Sequence, residues 1–225
     1  MRVCAAPPFA ADAPRVEQAR WRAHDLLRLA RLAPVPDEPA WVRDAFARAP
    51  FAVVRRAQAA AGFVAAGVRG TARSERFGTW IDVQDIESSI SPESLLAVEP
   101  VAQRASLPAF LALAALRDSA DLMNAFAWGP TGSAGFELAA RVPTISETSD
   151  LDLLIRMPER CDATTIETLF EALTHAAQHA RTRIDAQIET PSGGVALAEL
   201  AARKPSVLVR ASDGARLVAD PWIPG

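Results

Sequence analysis

The sequence predicts an α+β protein made of a small mixed N-terminal domain and a second mixed sheet with helices packed on it. Two observations lead to this fold class. The first half carries short apolar runs separated by proline and glycine, of which residues 51–55 are an example. The second half alternates such runs with long helical patterns, of which residues 163–180 are the clearest.

Three segments are expected along the chain. A flexible arm rich in alanine and proline covers residues 1–14, an N-terminal domain covers residues 15–100, and a second domain covers residues 106–225. The segment from Pro100 to Leu107 is the predicted boundary between the two domains.

In the N-terminal domain, apolar residues between Trp21 and Leu29 are spaced as in a helix over residues 15–32, which Pro34 ends. A second helix is expected from Pro39 through Phe46. Three strands should follow at residues 51–55, 63–68 and 77–81, the first two as a hairpin, and then a short helix after Ser91-Pro92.

The second domain should begin with a helix capped by Ser106 and running through Leu122. Further helices are predicted at residues 134–139 and 163–180. The expected strands are residues 125–128, 151–155, 183–189, 207–210 and 216–218. A turn is expected at Pro191–Gly194.

Composition excludes several classes of function. The net charge of −3 argues against non-specific nucleic-acid binding. The longest apolar stretch, Leu107 to Leu116, is too short to cross a membrane. Cys4 and Cys161 are too few for a disulfide framework, so a cytoplasmic protein is expected.

Two acidic residues, Asp150 and Asp152, mark the start of the predicted strand at residues 151–155. Residues two apart on a strand face the same side, so both carboxylates project together while Leu151 and Leu153 enter the core. Two ionised carboxylates side by side repel each other. A divalent cation between them removes the repulsion, and oxygen ligands of this kind suit Mg²⁺ or Mn²⁺.

A third carboxylate, Asp185, lies on the polar face of the alternating run at residues 183–189. It joins the other two if the two strands are neighbours. Upstream, Gly132 and Ser133 precede a predicted helix, and small residues there let backbone N–H groups approach phosphates. Three carboxylates beside such a turn indicate metal-dependent phosphoryl or nucleotidyl transfer.

This arrangement resembles the nucleotidyltransferase superfamily, which carries Gly-Ser, a helix, Asp-x-Asp and a later single Asp on a strand. The sixteen residues between Ser133 and Asp150 exceed the spacing expected there, and residues 141–148 are interpreted as a loop at the site. A closer resemblance spans nearly the whole chain. WGPTGSAGFELA, SDLDLLIR, RIDAQIETPSGGVALAE and DGARLVADPW, with RAHDLLRL, PAWV, APFAVVRRA and GVRGTARSERF, resemble the phosphoribosyl-dephospho-CoA transferases of malonate decarboxylase.

The resemblance implies a nucleotidyltransferase-like second domain and a defined reaction. The phosphoribosyl-dephospho-CoA group of 2′-(5″-triphosphoribosyl)-3′-dephospho-CoA would pass to a serine of the apo acyl carrier protein, releasing diphosphate. Asp150, Asp152 and Asp185 would hold Mg²⁺, with Asp185 also accepting the serine proton. Gly132 and Ser133 would bind the triphosphate.

Several residues have two interpretations. Arg73 and Arg76, with Arg69, either bind substrate phosphates or form a solvated charged face. Arg156 and Arg183 flank the carboxylates, and either one would offset their charge. Glu137 is interpreted as a charge near the N-terminus of a helix, where it favours the helix dipole, and not as a ligand. The remaining candidates are interpreted as structural or surface residues: His24, Cys161, His175, His179, Gln187 and Glu189. Trp128 is the one tryptophan expected beside the site.

Two rival functions stay open at this point. One is a different nucleotidyltransferase, which adds a nucleoside monophosphate to a protein or small molecule. The other is a catalytically inactive module that binds carrier protein or nucleotide. The complete set Asp150, Asp152 and Asp185 argues against the inactive module.

Overall fold

The computed structural model describes residues 3–16, 20–118 and 123–223. It is an α+β structure, as predicted, with five α-helices and three sheets among the described residues. The chain divides into two compact units, Met1–Ser91 and Pro92–Gly225. None of the helices in the described part of the chain is long and apolar enough to cross a membrane.

The first unit is built on a six-stranded sheet with strand order β1-β7-β6-β4-β3-β8. Its strands are β1 (Val3–Cys4), β3 (Leu26–Leu29), β4 (Phe51–Val54), β6 (Phe63–Arg69), β7 (Arg76–Asp82) and β8 (Ile86–Ile90). A separate pair joins β2 (Arg15–Val16) to β5 (Ala59–Ala60), and the described residues of this unit include the α-helix α1 (Trp41–Arg48). Residues 1–14, for which a flexible arm was expected, include β1, which pairs in parallel with β7.

The helix predicted over residues 15–32 is wrong. That region contains β2 and β3 instead, and Leu26, Leu27 and Leu29 are all buried while Arg28 is exposed. A short apolar run of this kind satisfies a helical and a fully buried strand pattern equally well. Pairing with β4 on one side and β8 on the other decides in favour of the strand.

The predicted hairpin at residues 51–68 is confirmed, because β4 and β6 pair antiparallel with Val53 opposite Gly67. The strand β7 extends this pairing from Phe63 opposite Asp82 to Arg69 opposite Arg76. These strands and α1 enclose the core of the first unit, whose buried members include Leu27, Val42 and Phe77. The strand β8 was not predicted, because its residues are mostly exposed.

The second unit has a six-stranded sheet with order β14-β13-β12-β11-β10-β9. Its strands are β9 (Ala127–Pro130), β10 (Leu151–Arg156), β11 (Ile184–Thr190), β12 (Gly193–Ala196), β13 (Val207–Ala211) and β14 (Gly214–Val218). Its α-helices are α2 (Pro108–Asp118), α3 (Gly132–Ala140), α4 (Ala163–Ala180) and α5 (Leu197–Ala201). Short 3₁₀ helices occupy Glu93–Ala97 and Ala102–Arg104.

The strands β10 and β11 are the parallel pair of this sheet, and the other neighbouring strands run antiparallel. Parallel neighbours need a long crossover, which α4 supplies. Asp162 caps α4 by accepting a hydrogen bond from the Thr165 N–H at 2.8 Å. Leu169 and Leu173 of α4 are buried, as are Leu151, Leu153 and Ile155 on one face of β10.

Two predicted elements of the second unit differ from the structure. The helix expected from Ser106 begins at Pro108 and extends to Asp118, and its expected end at Leu122 lies outside the described residues. The turn expected at Pro191–Gly194 is tight enough that Gly193 already belongs to β12.

Candidate active site

The two strands that carry the acidic residues are neighbours, which is the condition under which the sequence brings the three carboxylates together. In the parallel pair β10–β11, Asp152 lies directly opposite Asp185. Directly opposite residues on neighbouring strands project from the same face of the sheet, about 4.8 Å apart at the backbone. Asp150 precedes Asp152 by two residues and shares that face.

A guanidinium group joins the two outer carboxylates of this cluster. Arg183 Nη2 lies 2.6 Å from Asp150 Oδ2 and 2.8 Å from Asp185 Oδ2. Since one nitrogen contacts both carboxylates, Asp150 and Asp185 lie side by side although 35 residues separate them in sequence. Of the two arginines proposed from the sequence to offset this charge, Arg183 does so.

The other candidate, Arg156, lies at the opposite end of β10. Its Nε donates to Glu93 Oε1 in a partly buried ion pair. It stands opposite Glu189 on β11 and Ala127 on β9. Arg156 therefore ties the 3₁₀ helix Glu93–Ala97 to the sheet.

The Gly-Ser turn contacts the central carboxylate. The Thr131 N–H donates to the Asp152 carbonyl oxygen at 2.8 Å, immediately before α3 begins at Gly132. Gly132 has φ 56°, and a Cβ atom built on it would lie less than 3.0 Å from the Asp152 carboxylate. Glycine is thus required at this position both by the backbone conformation and by the space.

The helix α3 begins in this turn, and its N-terminus has no side-chain cap. Thr131 is the N-cap residue and makes no side-chain capping hydrogen bond. The first N–H groups of a helix have no partner within the helix and carry its positive dipole end. The start of α3, at Gly132 and Ser133, is therefore suited to anionic groups such as phosphate.

The acidic residue of α3, Glu137, has a structural role that the sequence did not reveal. Its side chain is 6% exposed and its Oε1 accepts from Arg104 Nε at 2.5 Å. Its Oε2 accepts from the N–H groups of Thr144 at 2.6 Å and Ile145 at 2.9 Å. Arg104 also donates to the Ile145 carbonyl oxygen at 2.7 Å. Glu137 therefore holds the loop that connects α3 to β10.

The same contacts explain the pKa of Glu137. Burial alone would raise the pKa of this carboxyl, but the Arg104 hydrogen bond and the two backbone donors together lower it below its ordinary value. The Glu137 hydrogen bond in turn raises the pKa of Arg104. Glu137 is therefore ionised at neutral pH, and both of its carboxylate oxygens already accept hydrogen bonds from the protein.

The three carboxylates are suitable ligands for a hard divalent cation, although their side chains are not arranged around a common metal position. Within the described ranges, no three His, Cys, Asp or Glu side chains are already arranged to hold a metal ion. The cation between Asp150 and Asp185 is the guanidinium of Arg183. Three carboxylates on one face of the sheet are oxygen ligands of the kind that Mg²⁺ prefers.

Other residues considered in the sequence lie elsewhere. Trp128 of β9 lies opposite Ile155 of β10, so it is on the face of the sheet that points away from Asp152. The residue is buried, at 4% exposed. His175 and His179 are both exposed on α4. Trp128 is therefore a core residue, and the two histidines are surface residues.

Arg73 and Arg76 belong to the first unit. Arg73 is exposed in the turn between β6 and β7, and Arg76 opens β7 and donates to the Glu75 carbonyl oxygen at 3.0 Å. The turn is held by Glu75, whose pKa is lowered chiefly by the Ala72 N–H. A phosphate-binding role for Arg73 and Arg76 stays a prediction.

Comparison with known proteins identifies the family. Residues 22–92 match the phosphoribosyl-dephospho-CoA transferase MdcG N-terminal domain, and residues 95–221 match the C-terminal domain of the same family. A phosphoribosyl-dephospho-CoA transferase of Pseudomonas fluorescens is 40% identical over 205 residues, covering 91% of this chain and 95% of the relative. No solved structure matches the chain significantly.

Two more relatives carry the same name. The Pseudomonas aeruginosa protein is 43% identical over 203 residues, covering 88% of this chain and 92% of its own length. The Azotobacter vinelandii protein is 39% identical over 185 residues, covering 82% of this chain and 85% of its own. These matches define the class of protein as a transferase. The chain belongs to the phosphoribosyl-dephospho-CoA transferase family, which confirms the resemblance seen in the sequence.

Proposed function

We propose that this protein transfers the phosphoribosyl-dephospho-CoA group from 2′-(5″-triphosphoribosyl)-3′-dephospho-CoA to a serine of the apo acyl carrier protein of malonate decarboxylase. The family name supports the transferred group, and the acceptor and the triphosphate donor are the finer part of the proposal. The observation that carries it is the register of Asp152 opposite Asp185, beside Asp150 and the Gly132 turn.

The reaction is a phosphoryl substitution in which every atom is accounted for. The serine oxygen forms a bond to the α-phosphorus of the donor. The bond from that phosphorus to the oxygen bridging to the β-phosphorus breaks, and diphosphate leaves with the electron pair. The serine proton passes to a carboxylate of the site, for which Asp185 is the proposed acceptor.

Each part of the site has a role in this scheme. The first turn of α3 binds the triphosphate through the N–H groups near Gly132 and Ser133. Asp150, Asp152 and Asp185 are the proposed ligands of Mg²⁺ or Mn²⁺, which would neutralise charge on the phosphates. The nucleophile comes from the partner protein, so the chain itself needs no activated serine or cysteine.

Localisation and phosphate contacts complete the proposal. We also propose a cytoplasmic location, and the free thiols of Cys4 and Cys161 support it. Arg73 and Arg76 of the first unit are proposed to bind substrate phosphates with their planar guanidinium groups.

The test is an intact-mass measurement of apo carrier protein incubated with the triphosphate donor, Mg²⁺ and enzyme. The proposal expects the carrier mass to rise by the phosphoribosyl-dephospho-CoA group, with diphosphate released in equal amount. A mass increase equal to a plain nucleotide would identify a different nucleotidyltransferase, and no increase would leave a binding module.

The matched variants are Asp152→Asn and Asp213→Asn. Asp152→Asn should slow transfer by more than about a hundredfold because it removes a proposed ligand. Asp213 pairs with Arg216 and its side chain is 61% exposed in the β13–β14 turn. Asp213→Asn should leave the rate unchanged, and equal rates in both variants would reject the assignment of Asp152.

A further inference from the structure

The guanidinium of Arg183 occupies the space between two proposed ligands. Its Nη2 lies within 2.8 Å of both Asp150 and Asp185, so it takes the place in which a divalent cation would bridge them. The side chain is nevertheless 61% exposed. The Arg183 guanidinium thus makes close ionic contacts, and its exposure leaves it space to move away from the two carboxylates.

The backbone of Arg183 is held by hydrogen bonds, whereas its side chain is largely exposed. The Leu151 N–H donates to the Arg183 carbonyl oxygen at 2.8 Å, and Thr182 Oγ1 donates to the Ser149 carbonyl oxygen at 3.0 Å. These bonds tie the start of β11 to the start of β10. The base of the side chain is therefore fixed beside Asp150, while its exposed guanidinium is free of enclosing protein.

We propose that Arg183 is a positioning residue that competes with the divalent cation for Asp150 and Asp185 and moves to the phosphates of the substrate when the cation binds. The inference rests on the proposed function, since it takes these two residues as ligands. Arg183 prevents repulsion between the carboxylates before the cation arrives. A planar guanidinium also suits phosphate oxygens, which gives it a second partner once displaced.

The competition has a calculable consequence. A ligand whose binding-competent state is only partly populated binds more weakly by that fraction. The Arg183 side of both ion pairs is largely exposed, which keeps their strength modest, so Arg183 should weaken cation binding by about three- to tenfold. Because the triphosphate offers Arg183 another partner, cation and triphosphate should bind cooperatively, each strengthening the other by the same factor.

The test compares Arg183→Gln with wild type in two measurements that need no turnover. Calorimetric titration with Mn²⁺ alone should show binding about three- to tenfold tighter in Arg183→Gln. Thermal unfolding should show a lower midpoint for the metal-free variant and a larger rise on adding Mn²⁺. Arg183→Lys, which keeps the positive charge but lacks the planar guanidinium group, should give intermediate values in both measurements.

Arg203→Gln is the matched control. Arg203 is 60% exposed and pairs with Glu167, away from the three carboxylates. It should leave Mn²⁺ affinity unchanged. A purely structural role for Arg183 would weaken Mn²⁺ binding when it is replaced, so tighter binding distinguishes competition from loss of structure.

The remaining outcomes separate this inference from the proposed function. Unchanged or weaker Mn²⁺ binding in Arg183→Gln, with wild-type enzyme still modifying the carrier protein, overturns the role of Arg183 alone. Failure of wild type and Arg183→Gln to bind Mn²⁺, together with absence of transfer, overturns both.

Discussion

Two arginine–carboxylate clusters in the second unit use the same chemical groups in different surroundings. The Arg104–Glu137 pair is enclosed, with side chains 25% and 6% exposed, and the carboxylate also accepts from two backbone N–H groups. The Arg183 cluster is open, with Arg183 61% exposed, Asp150 20% and Asp185 50%. The first cluster holds the loop between α3 and β10 in place, whereas the second is the cluster in which we propose that a divalent cation replaces the arginine.

The difference shows how burial determines the role of an ion pair. Breaking a buried pair leaves a desolvated charge without its partner and costs several kcal/mol. Breaking an exposed pair costs little, because water replaces the lost partner. Glu137 therefore contributes to stability, and Asp150 and Asp185 are available for chemistry at small cost to the fold.

Exchanging one carboxylate in each cluster for its amide tests the comparison most strongly. Glu137→Gln should lower the free energy of unfolding by about 2–4 kcal/mol, because Arg104 keeps its charge in a site that is partly buried. Asp185→Asn should change it by less than about 1 kcal/mol. Urea denaturation followed by circular dichroism measures both.

Activity should respond in the reverse order. Glu137→Gln, assayed at a temperature where it stays folded, should retain most of its transfer rate, whereas Asp185→Asn should lose transfer. Equal losses of stability in the two variants would remove the distinction between the clusters.

Replacing Gly132 by alanine strains the backbone directly beside the carboxylate cluster of Asp150, Asp152 and Asp185. The φ of 56° costs an L-residue about 1–2 kcal/mol, and the added Cβ must push the Asp152 carboxylate aside. Transfer should therefore fall more than about tenfold. Gly62→Ala is the control, since Gly62 has φ 86° but nothing within 4 Å of an added Cβ.

The comparison requires that Gly62→Ala loses stability to a similar degree and keeps its transfer rate. If Gly132→Ala transferred at the wild-type rate, close contact between the Gly-Ser turn and Asp152 would be irrelevant to the reaction. Carrier-protein mass increase over time measures the rates.

The smallest expected effect is the acid dependence of the buried cluster. The folded-state pKa of Glu137 lies below its ordinary value of 4.5. Its contribution to stability is therefore fully present above about pH 4.5 and is lost as the pH falls through the folded-state pKa. The difference in free energy of unfolding between wild type and Glu137→Gln should shrink over that range. A difference that stays constant down to about pH 3 would contradict the shift.

The sequence predicted those parts of the site that depend on local pattern. Strict alternation in residues 183–189 identified β11, and the Gly132-Ser133 turn identified the start of α3. The sequence left open whether these two strands are neighbours, and the pairing of β10 with β11 in the structure brings Asp152 and Asp185 together. Each of these inferences needs only spacing along one element and one pairing of strands.

The missed features depend on contacts between residues distant in sequence. Glu137 was interpreted as a charge near the N-terminus of a helix, because nothing local links it to Arg104, which lies 33 residues earlier. The long connection between Ser133 and Asp150 was a signal, since a loop of that length needs an anchor. The run Leu26–Leu29 was assigned to a helix because only its strand partners distinguish the two structures.

Anomalous diffraction from crystals grown with Mn²⁺ and the triphosphate donor locates the cation in the site. We expect a Mn²⁺ peak bounded by the carboxylates of Asp150, Asp152 and Asp185, with ligand distances of about 2.0–2.2 Å. Arg183 should then contact phosphate oxygens. An ordered donor with Mn²⁺ bound elsewhere, and Arg183 still between Asp150 and Asp185, would contradict this expectation.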